Sequence, residues 1–402
     1  MATTLFWTLG LLIAYHILGY PAVLWTLNAI RRRRSERIVR SADGPRSVSI
    51  VIPAHNEAGV IAQTLAACRR LTELPEPVQL IVVDDGSEDG TPEQVERWAW
   101  PEVELVRVRP RQGKPHALNE GVRRATGELV VFLDANVLPR PNAVARLLAA
   151  FADPSVGAAS AIVHLAHEGT EVEAGERVYH RFESWVQRME TALGSAIGVD
   201  GAMYAFRREL YRPLPKDTIL DDFVNSIRIL RTGKRIVFVP DAIATEVGTA
   251  TLVDEWKRKK RLAAGSFQAL VRASVPPWQR PVLLWQFASH KLLRWLLPWL
   301  LIGFAICGFA GWSAAWWYGA CAAFVVGAVL AGAAAAVVRP LRRVPLFGAL
   351  AYAVVSLAAF ALGPVLAATH SVLWEKATRA SAARSSEPCP EEDAVVGADR
   401  AT

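Results

Sequence analysis

Val131-Phe132-Leu133-Asp134-Ala135-Asn136 is an apolar run that ends in a carboxylate and, two positions on, in an amide. Leu129–Asp134 reads as a β-strand. Side chains alternate along a strand, so positions i and i+2 point the same way. On that reading Asp134 and Asn136 offer oxygens to one hard cation, and such a cation commonly carries a phosphate. Asp and Asn also end strands because they start turns, so the neighbouring stretches decide what this one means.

Those stretches repeat its pattern. Ser47–Pro53 (SVSIVIP) is a β-rich run followed by a helical stretch from Glu57 to Arg70. Val78–Asp84 is a second strand, with helical residues at 92–98, and Val103–Val108 is a third, with a helix from Pro115 to Ala125. A helix over 141–151 follows the fourth. This alternation predicts an α/β fold with a doubly wound, mostly parallel sheet. Ligands of such sheets bind outside the carboxyl ends of the strands. His55, Asn56 and Glu57, the pair Asp84 and Asp85, and Asp134 with Asn136 all fall at that edge. No G-x-G-x-x-G follows the first strand and no G-x-x-x-x-G-K-[ST] occurs, which disfavours a dinucleotide dehydrogenase and a P-loop NTPase. A divalent cation with basic side chains is the remaining way to hold a phosphate.

The chain is 402 residues long and 52% hydrophobic, too apolar for one ordinary soluble domain. The excess is localised in stretches without Asp, Glu, Lys or Arg, at 1–30, 295–338 and 344–374. A spanning helix needs about 20 apolar residues, so one, two and one spans are expected, the middle two meeting near Gly311-Trp312-Ser313. Arg31–Arg34 follow the first block rather than precede it, which favours a retained anchor over a cleaved signal. Those arginines, Lys291 with Arg294, and Arg339 with Arg342 and Arg343 place the intervening region on the cytoplasmic side. The four cysteines show no paired framework and no zinc spacing. The net charge of +7 gathers beside the membrane blocks, so lipid headgroups and a nucleotide diphosphate are expected partners, rather than nucleic acid.

Further motifs carry chemistry and each has a plainer reading. In Pro53-Ala54-His55-Asn56-Glu57, Asn56 also serves as a helix N-cap. Asp84-Asp85-Gly86-Ser87 is a turn whose carboxylates can also accept from a base or ribose. Lys114 opens a helix, where free amides and positive charge both suit a phosphate, or it is a solvated loop lysine. Asp221-Asp222 enters an amphipathic stretch; carboxylates suit helix starts, and one there can also act as a general base. Trp256-Lys257-Arg258-Lys259-Lys260-Arg261-Leu262 suits a membrane surface and can equally clamp a leaving diphosphate.

Taken in order, IVIPAHNE (50–57), VVDDGS (82–87), GKPHALNEG (113–121), FLDAN (132–136), GVDGAMYAFRREL (198–210), LDDF (220–223) and RKKRL (258–262) resemble the inverting family 2 glycosyltransferases of GT-A fold, in their membrane-bound cellulose, chitin and hyaluronan synthase-like branch. The resemblance implies that Pro53, Ala54, Glu57 and Asp85 contact the base and ribose of a nucleotide-sugar, with Lys114 near its diphosphate. Asp134 and Asn136 fall on the D-x-D positions that hold the nucleotide and Mg2+ or Mn2+. Asp222 matches the general base, with Asp221 in place of the usual Glu before it, and Gly198 and Gly201 lie in the region beneath the acceptor sugar. Arg258 and Arg261 match the motif that clamps the departing diphosphate, but Leu262 replaces the tryptophan of processive enzymes. The implied donor is a UDP-sugar and the acceptor a glycan of cell-surface or extracellular polysaccharide, or a lipid. A transporter is disfavoured by spans that contain no acidic residue; a protein that binds a nucleotide-sugar without turning it over stays open at this point. The expected layout is a membrane helix at 1–30, a basic linker at 31–46, the transferase domain at 47–250, basic interface helices at 251–290, three membrane helices at 291–375 and a disordered tail at 376–402. The expected place is the plasma membrane, with multiple spans and the domain facing the cytoplasm.

Overall fold

The computed structural model describes residues 1–32, 47–98, 100, 103–166, 173–247 and 251–369. Most of the linker at 31–46 and the tail at 376–402, with Cys389, lie outside those residues.

The strands are β1 (Val48–Ala54), β2 (Val78–Asp85), β3 (Val103–Val108), β4 (Leu129–Leu133), β5 (Val137–Pro139), β6 (Val156–Ala166), β7 (Met203–Arg207) and β8 (Arg235–Val247). They form one sheet in the order β3-β2-β1-β4-β7-β6-β8-β5. β1 is parallel to β2 and β4, β2 to β3, and β6 to β8. β7 runs against both β4 and β6, and β5 against β8. The parallel half is the one the βαβα rhythm announces. The antiparallel strands come from the second half of the domain, where no helix separates β4 from β5.

The domain helices are α2 (Ile61–Arg69), α3 (Thr91–Arg97), α4 (Lys114–Arg124), α5 (Ala143–Ala149), α6 (Glu173–Leu193), α7 (Asp221–Arg231) and α8 (Leu252–Val271). α2 starts four residues later than Glu57, because Asn56 has a φ of 56° and residues 56–60 make turns instead. β1 shows why central strands read as unbroken apolar runs: both its faces are covered. Ile50 and Ile52 pack with Ile61, Leu65, Leu147 and Phe151 on one side. Val51 packs with Leu118 and Val122 on the other, in a cluster that also holds Phe223, Ile227, Phe287 and Trp295. The last two belong to a membrane helix, so that helix completes the core of the domain.

Among the described residues four helices are long and apolar enough to cross a membrane: α1 (Ala2–Arg31), α9 (Pro281–Ala310), α10 (Trp316–Val337) and α11 (Pro345–Thr369). α9 and α10 are joined by turns at 311–314, beside the predicted Gly311-Trp312-Ser313. α9 begins well before the uncharged block, and polar groups in its first half face α6. There Glu183 meets His290 at 3.1 Å, Lys291 at 3.0 Å and Arg294 at 2.6 Å. Glu190 accepts from Tyr20 of α1 at 2.5 Å and lies 2.8 Å from His290. Burial works to raise Glu183, but Arg294, His290 and Lys291 outweigh it and hold the carboxyl well below its usual range. α8 lies between the domain and α11. A Cβ on Gly265 would meet Leu220 at 2.5 Å, and one on Gly363 would meet Phe267 at 2.4 Å.

Candidate active site

The carboxyl edge of β1, β2 and β4 forms one cleft lined by Pro53, Ala54, Glu57, Asp85, Lys114, Asp134 and Asn136. Every nucleotide- and metal-directed residue expected from sequence is therefore in one place. His55 and Arg111 complete the wall. The loops are tied to each other by hydrogen bonds. The Asn56 amide donates to Ser87 Oγ at 2.9 Å, and the Glu57 amide to Thr91 Oγ1 at 2.8 Å. Asp85 accepts from the backbone amides of Gln112 at 2.8 Å and Gly113 at 2.7 Å, one on each oxygen. Its carboxylate thus holds the loop that ends in Lys114. Gly113, with a φ of 96°, makes the bend into α4 that a side chain would strain.

Asp134 and Asn136 do not share the cleft for the reason their spacing suggests. β4 ends at Leu133, and residues 134–136 form a turn into β5, closed by the Val137 amide on the Asp134 carbonyl at 3.0 Å. Strand alternation therefore does not apply, and each side chain takes its own partner. Asp134 Oδ1 accepts from Lys114 Nζ at 2.7 Å. Asn136, only 3% exposed, donates from Nδ2 to Glu246 Oε1 at 3.1 Å, which leaves its carbonyl oxygen for other work.

Lys114 also lies 3.8 Å from Asp221 Oδ2, joining the edge of β4 to the start of α7. Burial pulls its ammonium down in pKa, and Asp134 and Asp221 more than offset this, so the net shift is upward. Beside Asp221, the Asp222 carboxyl is pushed up to about 7 by desolvation and by its acidic neighbour. Gly201 faces that group: a Cβ there would lie 3.0 Å from Asp222 Oδ2. The next residue links back to β4, because the Asp134 amide donates to the Ala202 carbonyl at 3.0 Å. Gly198 packs more loosely, with Phe223 and Ser226 each 3.9 Å from where its Cβ would be.

Arg258 and Arg261 come from α8. Arg258 is braced by Glu255, with Nε to Oε2 at 2.7 Å, and its charge is felt at Asp200 and Glu246. Arg261 opposes the charge of Lys114. Both come from the helix that packs against α11.

Two acids were missed. Asp200 is raised by burial, with Asp134 adding to the effect, and its Oδ1 accepts from the Ala202 amide at 3.0 Å. Glu246 is likewise raised by burial, with Asp134 and Asp200 adding and Arg258 opposing. Asp200 lay inside the quoted GVDGAMYAFRREL stretch without being singled out. Glu246 carries no local signal and reaches Asn136 only because β5 pairs with β8.

The oxygens of Asp134 and Asn136 suit Mg2+ or Mn2+, which Mg2+ sites typically combine with substrate phosphates. Among the described residues no three His, Cys, Asp or Glu side chains form a ready cage. The donor set thus fits a cation that brings further ligands with it.

Residues 49–214 match the family model described as Glycosyl transferase family 2. Similar curated proteins include the poly-beta-1,6-N-acetyl-D-glucosamine synthase of Staphylococcus aureus (strain MSSA476), 24% identical over 58% of this chain and 57% of its own length. That of Staphylococcus epidermidis is 24% identical over 56% of each. The chain thus spans little more than half the length of the curated relatives it matches. Among solved structures, the mannosyltransferase PcManGT from Pyrobaculum calidifontis, in complex with GDP-Man and Mn2+, is 27% identical with a TM-score of 0.67, covering 90% of this chain and 99% of that one. The likeness therefore runs through the membrane helices as well as the sheet. Residues 49–214 thus form a glycosyl transferase family 2 domain, and the chain has the GT-A fold of a transferase.

Proposed function

We propose that the protein transfers a sugar, with inversion, from a nucleoside-diphosphate sugar to a hydroxyl acceptor presented at the cytoplasmic face of the plasma membrane. The observation that carries this reading is Lys114, which reaches Asp134 at 2.7 Å and, at 3.8 Å, Asp221, the chain neighbour of the candidate base Asp222, and so joins the candidate diphosphate site to the start of α7. Pro53, Ala54, Glu57 and Asp85 form the wall for the base and ribose. Asp134 and the Asn136 carbonyl would hold Mg2+ or Mn2+ with the diphosphate, and a bound cation of this kind stabilises the charge of a leaving diphosphate. Lys114, Arg258 and Arg261 add fixed positive charge where that negative charge develops. Asp222 takes the proton of the acceptor hydroxyl as its oxygen attacks the anomeric carbon. The bond to the nucleotide breaks on the opposite side, so an α-linked donor gives a β-linked product. Gly198 and Gly201 leave room for the acceptor beside that carboxylate.

Two acceptor classes rest on different observations. A growing glycan, and with it a UDP-sugar donor, is supported by the relatives named for poly-N-acetylglucosamine synthesis. A lipid-borne acceptor taking one sugar is supported by Leu262 in place of an aromatic platform, and by similarity along nearly the whole chain to an enzyme named a mannosyltransferase. Purified full-length protein given UDP-GlcNAc or GDP-Man, with Mg2+ or Mn2+ and a membrane lipid extract, tests the reading by nucleotide release and product sizing. A ladder of oligosaccharides favours the first class, and one sugar on an extractable lipid the second. No nucleotide release with these or other nucleotide-sugars would defeat the proposal.

A further inference from the structure

An asparagine can hold a hard cation only through its carbonyl, because the other half of its amide is a pair of N–H donors. The direction of the Asn136 amide therefore decides whether the residue is a ligand at all. Among the described residues, Glu246 is the neighbour that hydrogen-bonds this amide. β5 pairs antiparallel to β8 with Val137 opposite Glu246, which sets the glutamate beside the preceding residue. Asn136 is 3% exposed, and its Nδ2 donates to Glu246 Oε1 at 3.1 Å. A turned amide would put carbonyl oxygen against carboxylate oxygen, two acceptors with no proton between them.

We infer that Glu246 is a positioning residue that locks the Asn136 amide with its carbonyl turned away from β8, so that an asparagine serves where a carboxylate would otherwise be needed. The inference rests on the proposed reading of the cleft as a cation and diphosphate site. It has a distinctive consequence. A carboxylate at position 136 would offer an oxygen whichever way it turned, and would have no use for the lock.

The test is a double-mutant cycle read by binding rather than turnover. Free Mn2+ is followed by electron paramagnetic resonance while full-length protein in detergent is titrated with Mn2+ in the presence of UDP, and separately of GDP. E246L should weaken Mn2+ binding by about tenfold or more, the range found when the partner that orients a metal ligand is removed. In the N136D background the same E246L change should produce no loss. Retained binding in N136D/E246L would also show that the leucine is tolerated by the fold. An equal loss in both backgrounds would overturn the inference, because Glu246 would then act as a ligand or through its charge. Unchanged binding in E246L alone would overturn it too. If the unsubstituted protein bound no Mn2+ with either nucleotide, the site reading itself would fall, and the pairing with it.

Discussion

Asp222 carries the sharpest expectations at the scale of single residues. Its carboxyl is pushed up to about 7 by desolvation and by Asp221. A general base works only when unprotonated. Activity should therefore rise with pH through about 7 and fall away on the acid side with a one-proton slope, read from kcat/KM across pH 5.5–9. A flat profile over that range would remove the base from residue 222. Asp222→Asn should lower transfer by at least about 100-fold, the lower end of what a positioned acid or base contributes, while nucleotide affinity measured by calorimetry changes little. Near-normal turnover in that variant would place the base elsewhere. These residues were legible because each falls in a short motif at the end of a strand or the start of a helix. Glu246 was not, since its part depends on a register between two strands more than 100 positions apart. Asp134 and Asn136 both line the cleft, but a turn, not strand alternation, puts them there.

Among elements, β1 to β4 were readable because parallel strands buried on both faces appear as unbroken apolar runs, and β3 runs from Val103 to Val108 as predicted. The antiparallel half was harder. Pairing of β7 between β4 and β6 is a long-range choice that no window of local sequence contains. It matters for chemistry, because the segment leading into β7 carries both Gly201 against Asp222 and Ala202 against Asp134. Gly201→Ala is a direct probe of that junction. The added methyl would sit 3.0 Å from Asp222 Oδ2 and push the carboxylate out of line. A displacement near 1 Å costs on the order of 100-fold in rate. The expected outcome is a fall in kcat of about ten- to 100-fold with nucleotide binding retained, measured by steady-state kinetics and calorimetry. An unaltered kcat would mean that the acceptor side has slack.

At the scale of the whole molecule, sheet and membrane helices are joined by polar groups on one side and by aromatic rings on the other. Glu183 contacts His290, Lys291 and Arg294 where α6 meets α9. Glu183→Ala would leave Lys291 and Arg294 without the carboxylate they share, and removing one partner of a buried pair costs about 3–5 kcal/mol. A lower thermal midpoint in detergent is expected, and an unshifted midpoint would show that the seam contributes little to stability. The aromatic side is closer to the chemistry. Phe223, next to Asp222 in the chain, stacks on Phe287 with centroids 6.2 Å apart and meets the edge of Trp295 at 5.6 Å. A tilt of α9 would reach Asp222 through the Phe223 ring. Membranes thinner or thicker than the apolar length of a helix make it lean or straighten, so turnover is expected to depend on lipid chain length. In nanodiscs of increasing acyl length, turnover should pass through an optimum while nucleotide affinity stays level.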